Sequence, residues 1–144
     1  MSRILALDIG DKRIGVAMSD PTETLASPLT IIERISDESA IVRILKIVTD
    51  NNAVKIIVGL PRSMNGNIGH QAEKVQSFTE TLQLHATVPI EYRDERLTTV
   101  TAVRLKQEAS SRKPNRKTRY DAMAAAIILQ EHLDEKAAVK QEET

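Results

Sequence analysis

The 144-residue sequence has no cysteine, no tryptophan and only three aromatic rings, Phe78, Tyr92 and Tyr120. Without thiols there is no disulfide framework, no thiolate zinc site and no cysteine nucleophile. With three rings the core has to be aliphatic. The same scarcity argues against a nucleic-acid surface built from stacked aromatic platforms, and any such contact is expected to be phosphate-directed. Long hydrophobic runs are missing as well: Met1-Ser2-Arg3 leads straight into a short apolar strand that reaches Asp8, which is neither a signal peptide nor a membrane span. A cytoplasmic location is the default expectation. Net charge is absent too, because 20 basic and 20 acidic residues cancel, and the whole-chain charge does not advertise a polyanionic partner.

Hydrophobic residues make up 41% and charged residues 28%, a globular composition outside the disordered class. The length suits one domain that buries roughly two-thirds of its unfolded surface. We expect that domain over residues 1–134, followed by an acidic, disordered tail over 135–144. Charge is sorted along the chain. Five of the eight residues from Arg112 to Arg119 are basic, whereas Glu131 to Thr144 carries five acids against two bases.

Apolar periodicity predicts the order βββαβαβαα. Residues 3–9 and Ile14 to Met18 read as a hairpin joined by a glycine-flanked turn, and Leu25 to Ile32, with Pro28, reads as an edge strand. Ser36 is a good N-cap for a helix over 37–51, with Asp37 and Glu38 complementing its dipole. Val54 to Leu60 is a β-branched apolar run like a parallel strand buried on both faces. Ala72, Val75, Phe78 and Leu82 mark a second helix, Val88 to Tyr92 a fifth strand, and Thr98 or Thr99 caps a third helix to Ala109. A last helix runs from about Asn115 through Leu133. The fold class is therefore α/β, a mixed sheet of three antiparallel strands and then parallel strands, flanked by helices.

Three acids stand out. Asp8 falls inside the central strand, where a carboxylate needs a positive counterpart, either Lys12 or Arg13 or a metal ion. Asp94 and Glu95 follow the fifth strand, at the edge where open α/β sheets gather ligands. Strand alternation lets only one of the two face Asp8, and exposed pairing with Arg93 and Arg96 is the alternative. Asp121 lies on a helix stripe with Ala124, Ala125 and Ile128 and so faces inward, either as a functional acid or in a structural ion pair with Arg116 or Lys117, which sit a turn earlier near the exposed linker. If these acids converge, their mutual repulsion calls for a cation, and hard oxygen ligands select Mg2+ or Mn2+. His70, His85 and His132 are scattered without ligand spacing and read as surface residues. The loop from Gly59 to Gly69 lacks a Walker lysine pattern, and is either a backbone phosphate cradle or an ordinary connection. The basic cluster of Arg112, Lys113, Arg116, Lys117 and Arg119 suits a phosphate backbone, or is a solvated linker.

Leu7-Asp8-Ile9-Gly10 with Lys12-Arg13-Ile14-Gly15-Val16-Ala17 and Ser19-Asp20, then Val58-Gly59-Leu60-Pro61, Asp94-Glu95-Arg96-Leu97-Thr98-Thr99 and Tyr120-Asp121-Ala122 resemble the YqgF family, in family order across nearly the whole chain. The resemblance implies a fold related to ribonuclease H and the RuvC-type Holliday-junction resolvases. It also implies a nuclease that matures the 5′ end of the small-subunit ribosomal RNA precursor, with junction resolution in DNA recombination as the alternative. By analogy with the family motifs, Asp8, Glu95 and Asp121 are the catalytic metal-binding acids, Asp94 being the weaker choice. RuvC-type resolvases carry a glutamate where this chain has Gly59-Leu60-Pro61, so the second acid comes from another strand. Lys12, Arg13, Arg62, Arg112, Lys113, Arg116 and Lys117 are the expected nucleic-acid contacts, to precursor rRNA or branched DNA. A homodimer and association with ribosomal precursors belong to the same expectation. Two competing readings remain: an actin-like ATPase, which needs two such lobes, and a nucleic-acid or ribosome-assembly module that binds without cutting.

Overall fold

The computed structural model describes residues 2–61, 69–94 and 114–143, and in the last segment it describes side chains for residues 122–140. Strands β1 (Arg3–Ile9) and β2 (Arg13–Ser19) form the expected antiparallel hairpin. Its turn is closed by the Gly10 N–H, which donates to the Arg13 carbonyl at 2.9 Å. A Cβ at position 10 would sit 2.8 Å from that same oxygen, so the turn accepts only glycine there. Strand β3 (Ala26–Glu33) pairs antiparallel with β2 and forms one edge of the sheet, which accommodates Pro28.

Helix α1 (Asp37–Asp50) begins where the sequence predicts, with the Ser39 N–H donating to the Ser36 hydroxyl oxygen at 3.1 Å. Strand β4 (Ala53–Leu60) lies parallel to β1, helix α2 (His70–His85) follows, and strand β5 (Ile90–Asp94) lies parallel to β4. The long helix α3 (Pro114–Glu143) ends the described chain. The strand order β3-β2-β1-β4-β5 makes β1 the central strand.

Alternation along the strands divides the core in two. Leu5, Leu7 and Ile9 of β1, with Ile56, Val58 and Leu60 of β4, pack against α1 and α2. Ile4, Ala6, Ala17 and Ile57 pack on the opposite face against Ala124, Ala125, Ile128, Leu129 and Leu133 of α3. The alanines let α3 settle close to the sheet, as the inward stripe predicts.

Two expectations are corrected. β5 starts at Ile90 and includes Asp94, instead of spanning Val88 to Tyr92. Pro89 has no N–H for the ladder and contributes only its carbonyl, which accepts from the Ile56 N–H at 3.0 Å. The segment expected as a disordered tail is helical through Glu143. It contains neither glycine nor proline, Ala137 and Ala138 are strong helix formers, and Lys136 reaches Glu23 at 3.6 Å. The expected helix from Thr98 or Thr99 to Ala109 lies outside the described residues. Among the described residues no helix is long and apolar enough to cross a membrane.

Candidate functional site

Asp8 is the penultimate residue of β1, and only 6% of its surface is exposed. It alternates with Ile4 and Ala6, so it belongs to the face covered by α3. Opposite it on β2 stands Gly15, which in turn pairs with Ile31 of β3. On its other side the ladder pairs Leu7 with Val58, so the next step along β4 brings Gly59, and Gly59 pairs with Arg93 of β5. One row across the α3 face thus runs Ile31, Gly15, Asp8, Gly59, Arg93. The carboxylate is flanked on both neighbouring strands by residues without side chains. This row sits at the C-terminal ends of the three parallel strands, where ligands of open α/β sheets bind.

β5 separates the two adjacent candidates by face. Arg93 points to α3: its Nη1 and Nη2 donate to the two carboxylate oxygens of Glu135, each at 2.8 Å, and Nη2 also meets Glu131 at 3.4 Å. Asp94 pairs in register with Leu60 and shares the face of Ile90 and Tyr92, away from Asp8. The donated hydrogen bonds hold the Glu135 carboxyl below its usual range and raise the Arg93 guanidinium further. Asp8, Arg13 and Asp94 each make at least one polar or charge interaction within the fold.

Of the other predicted contacts, Lys12 is exposed on the hairpin turn and Arg13 is half-buried at the start of β2, in register with Glu33. Glu95, Arg62, Arg112 and Lys113 lie outside the described residues. Arg116, Lys117 and Asp121 fall in the first turns of α3, where only the backbone is described. Of the predicted trio, Asp8 is the member whose side chain is described, and among the described residues no three acids, histidines or cysteines come together as a metal cluster.

His70 and His85 are exposed, as expected, but His132 is not a surface residue. It is half-buried on α3, and its Nε2 is buried without a hydrogen-bond partner among the described residues. Burial, reinforced by the Lys55 ammonium, holds its pKa below the usual value.

Sequence reasoning overlooked two features. The glycine flanks of Asp8 become visible only when the strand register is known. Arg34, in the β3–α1 connection, carries no sequence signal at all, yet its side chain donates to the Gly10 carbonyl at 2.8 Å and to Asp37 at 2.8 Å, and lies 4.8 Å over the Phe78 ring.

A five-stranded mixed sheet in the order β3-β2-β1-β4-β5, with helices on both faces and a buried acid near the C-terminal end of its central strand, has the ribonuclease-H-like fold. RuvC of T. thermophilus in complex with a Holliday junction substrate superposes with a TM-score of 0.59 at 13% identity, covering 94% of this chain and 96% of that one. The fowlpox virus Holliday junction resolvase superposes at 0.52 with 16% identity, covering 94% and 99%. At these identities the likeness is one of fold. The family model described as "RuvX: Holliday junction resolvase" matches residues 2–135, and the chain belongs to that family, the YqgF family of the sequence reading. A relative from Roseiflexus sp. is 48% identical over 132 residues, covering 92% of this chain and 94% of its own. One from Thermoanaerobacter pseudethanolicus is 47% identical over 133 residues, covering 92% and 96%. Both bear the provisional name pre-16S rRNA nuclease.

Proposed function

We propose that this protein is a divalent-metal-dependent endonuclease that hydrolyses phosphodiester bonds at the 5′ end of the small-subunit ribosomal RNA precursor. The name of its relatives speaks for that RNA. The observation that carries the chemistry is Asp8, a carboxylate buried at the C-terminal edge of the central strand with Gly15 across from it.

The residues present fit a hard cation. Asp8 is an oxygen donor, and the chain has no thiol to recruit a softer metal. Asp8, Glu95 and Asp121 would hold Mg2+ or Mn2+. The direction of β5 supports Glu95 over Asp94, because Asp94 lies on the face opposite Asp8 while Arg93 lies on the same one. The buried run of Ala124, Ala125 and Ile128 supports Asp121, which precedes it at helical spacing. When bound, the metal would supply Lewis acidity and a water nucleophile at neutral pH. Lys12, Arg13 and Arg62 neutralise the phosphates near the scissile bond, while Arg112, Lys113, Arg116 and Lys117 track the flanking backbone. The same reading places the protein in the cytoplasm, in association with ribosomal precursors.

The test is cleavage of a precursor rRNA leader and of a four-way DNA junction, with Mg2+ or Mn2+, by wild type, Asp8→Asn and Asp121→Asn. The expected result is leader cleavage that stops on metal removal and falls about 10²–10³-fold in either variant, as when a charge-stabilising group is deleted from an active site. Equal rates in all three proteins would overturn the carboxylate–metal mechanism. Junction resolution is the second reading, favoured by the description of the family model. Symmetric cutting needs paired active sites and hence a homodimer. Preference for the junction together with a dimeric mass would select it.

A further inference from the structure

The turn between β1 and β2 begins two residues after Asp8 and carries Lys12 and Arg13. The ladder pair beside it is Ile9 with Ile14. Its internal bond is the one from the Gly10 N–H to the Arg13 carbonyl, and its outward carbonyls, at Gly10 and Lys12, are both taken by a single residue. The Arg34 backbone N–H donates to the Lys12 carbonyl at 2.9 Å, and Arg34 Nη1 donates to the Gly10 carbonyl at 2.8 Å.

The far side of the same guanidinium is fixed by the body of the protein. Its Nε donates to Asp37 in the first turn of α1 at 2.8 Å, and its Cζ lies over the ring of Phe78 of α2, 4.8 Å from the ring centroid. The Arg34 side chain is 15% exposed, and the Asp37 side chain is 55% exposed. A lysine cannot reproduce this arrangement, because its ammonium is a point charge without the planar fork that binds two acceptors at fixed angles and stacks on a ring. Arg34 thus joins the turn to both helices on that side of the sheet.

We propose that Arg34 is a positioning residue. It fixes the Gly10–Arg13 turn so that Lys12 and Arg13 meet substrate phosphates in register with Asp8, an inference that rests on the nuclease reading above. Arg34 touches no substrate and acts through the turn. An open cavity of about 410 Å³ bordered by Arg34, Asp37, Asp11 and Phe78 gives a small ion access to the guanidinium position.

The test is fluorescence anisotropy of labelled leader RNA on the full chain, without divalent metal so that no cleavage intervenes. The proteins compared are wild type, Lys12→Ala, Arg13→Ala, Arg34→Lys, Arg34→Ala and the Lys12→Ala/Arg34→Lys double variant, with thermal midpoints recorded for each. Lys12→Ala and Arg34→Lys should each weaken binding about five- to tenfold, and the double variant should be much less impaired than the product of the two, as for residues sharing one network. Added guanidinium chloride should partly restore binding by Arg34→Ala, more than an equal concentration of sodium chloride does. If Lys12→Ala weakens binding while folded Arg34→Lys binds as wild type, the inference on Arg34 fails and the nuclease reading stands. If Lys12→Ala and Arg13→Ala both bind as wild type, the phosphate-contact reading of the turn fails and the inference fails with it. If Arg34→Lys does not fold, Asp37→Asn loosens the guanidinium while leaving its bond to Gly10. A smaller loss, again non-additive with Lys12→Ala, is then expected, and full additivity would overturn the proposal.

Discussion

Replacing Arg93 by methionine removes the charged tie between β5 and α3 while keeping most of the aliphatic stem that packs beneath it. The tie consists of two charge-assisted bonds to Glu135 at 2.8 Å and a longer contact to Glu131 at 3.4 Å. Buried bonds to charged groups are worth about 1.5–3 kcal/mol each. The Glu135 side chain is 66% exposed, however, and water screens its pair down toward the roughly 0.2–1 kcal/mol of a surface ion pair. Glu131, at 27% exposure beside an Arg93 side chain at 17%, retains more. The expected loss for Arg93→Met is therefore about 1–2 kcal/mol, read by urea denaturation at pH 7 or as a lowering of the thermal midpoint by about 2–4 °C per kcal/mol. The pH dependence identifies the source. Because pairing depresses the folded-state pKa of Glu135, its stabilisation is complete above the ordinary carboxyl value of 4.5 and is lost as pH falls through the lower folded value. The gap between wild type and variant should accordingly shrink in acid, and also at high salt. Arg93→Met combined with Glu135→Gln should cost less than the two separately. A gap unchanged between pH 7 and strong acid, or full additivity, would refute the ion-pair account.

Two further outcomes follow from packing. Ile128→Ala, at a fully buried site on the α3 seam, should cost about 2–5 kcal/mol in chemical denaturation, because α3 cannot collapse onto the sheet to refill the space. Gly10→Ala brings a methyl group to 2.8 Å from the Arg13 carbonyl oxygen, so the turn must open. A loss of about 1–3 kcal/mol and faster amide exchange at residue 10 should result.

Features written in local pattern were legible in the sequence. The hairpin, the Pro28 edge strand, the Ser36 cap of α1, the doubly buried β4 and the inward alanines of α3 each depend on a period of two, a period of 3.6 or a terminal residue, all contained within one element. The central position of Asp8 was readable for the same reason, since an acid between Leu7 and Ile9 in an apolar run has few other places to be. Local pattern misjudged the start of β5, where a proline without an N–H shifts the ladder, and the last turns of α3, whose polar composition hides good helix propensity.

Other features depend on which strands lie side by side. The glycines beside Asp8 are neighbours only through the β2 and β4 registers, and Arg93 meets Glu135 across 42 residues of chain. Arg34 grips a turn 24 residues before it, and His132 lost its expected place at the surface because α3 lies against the sheet there. Sequence order carries an element's own periodicity, but not the distances between elements. Those are set when two apolar faces close on one another, and it was this closure that gave the buried Asp8 its glycine flanks and the hairpin turn its arginine clamp.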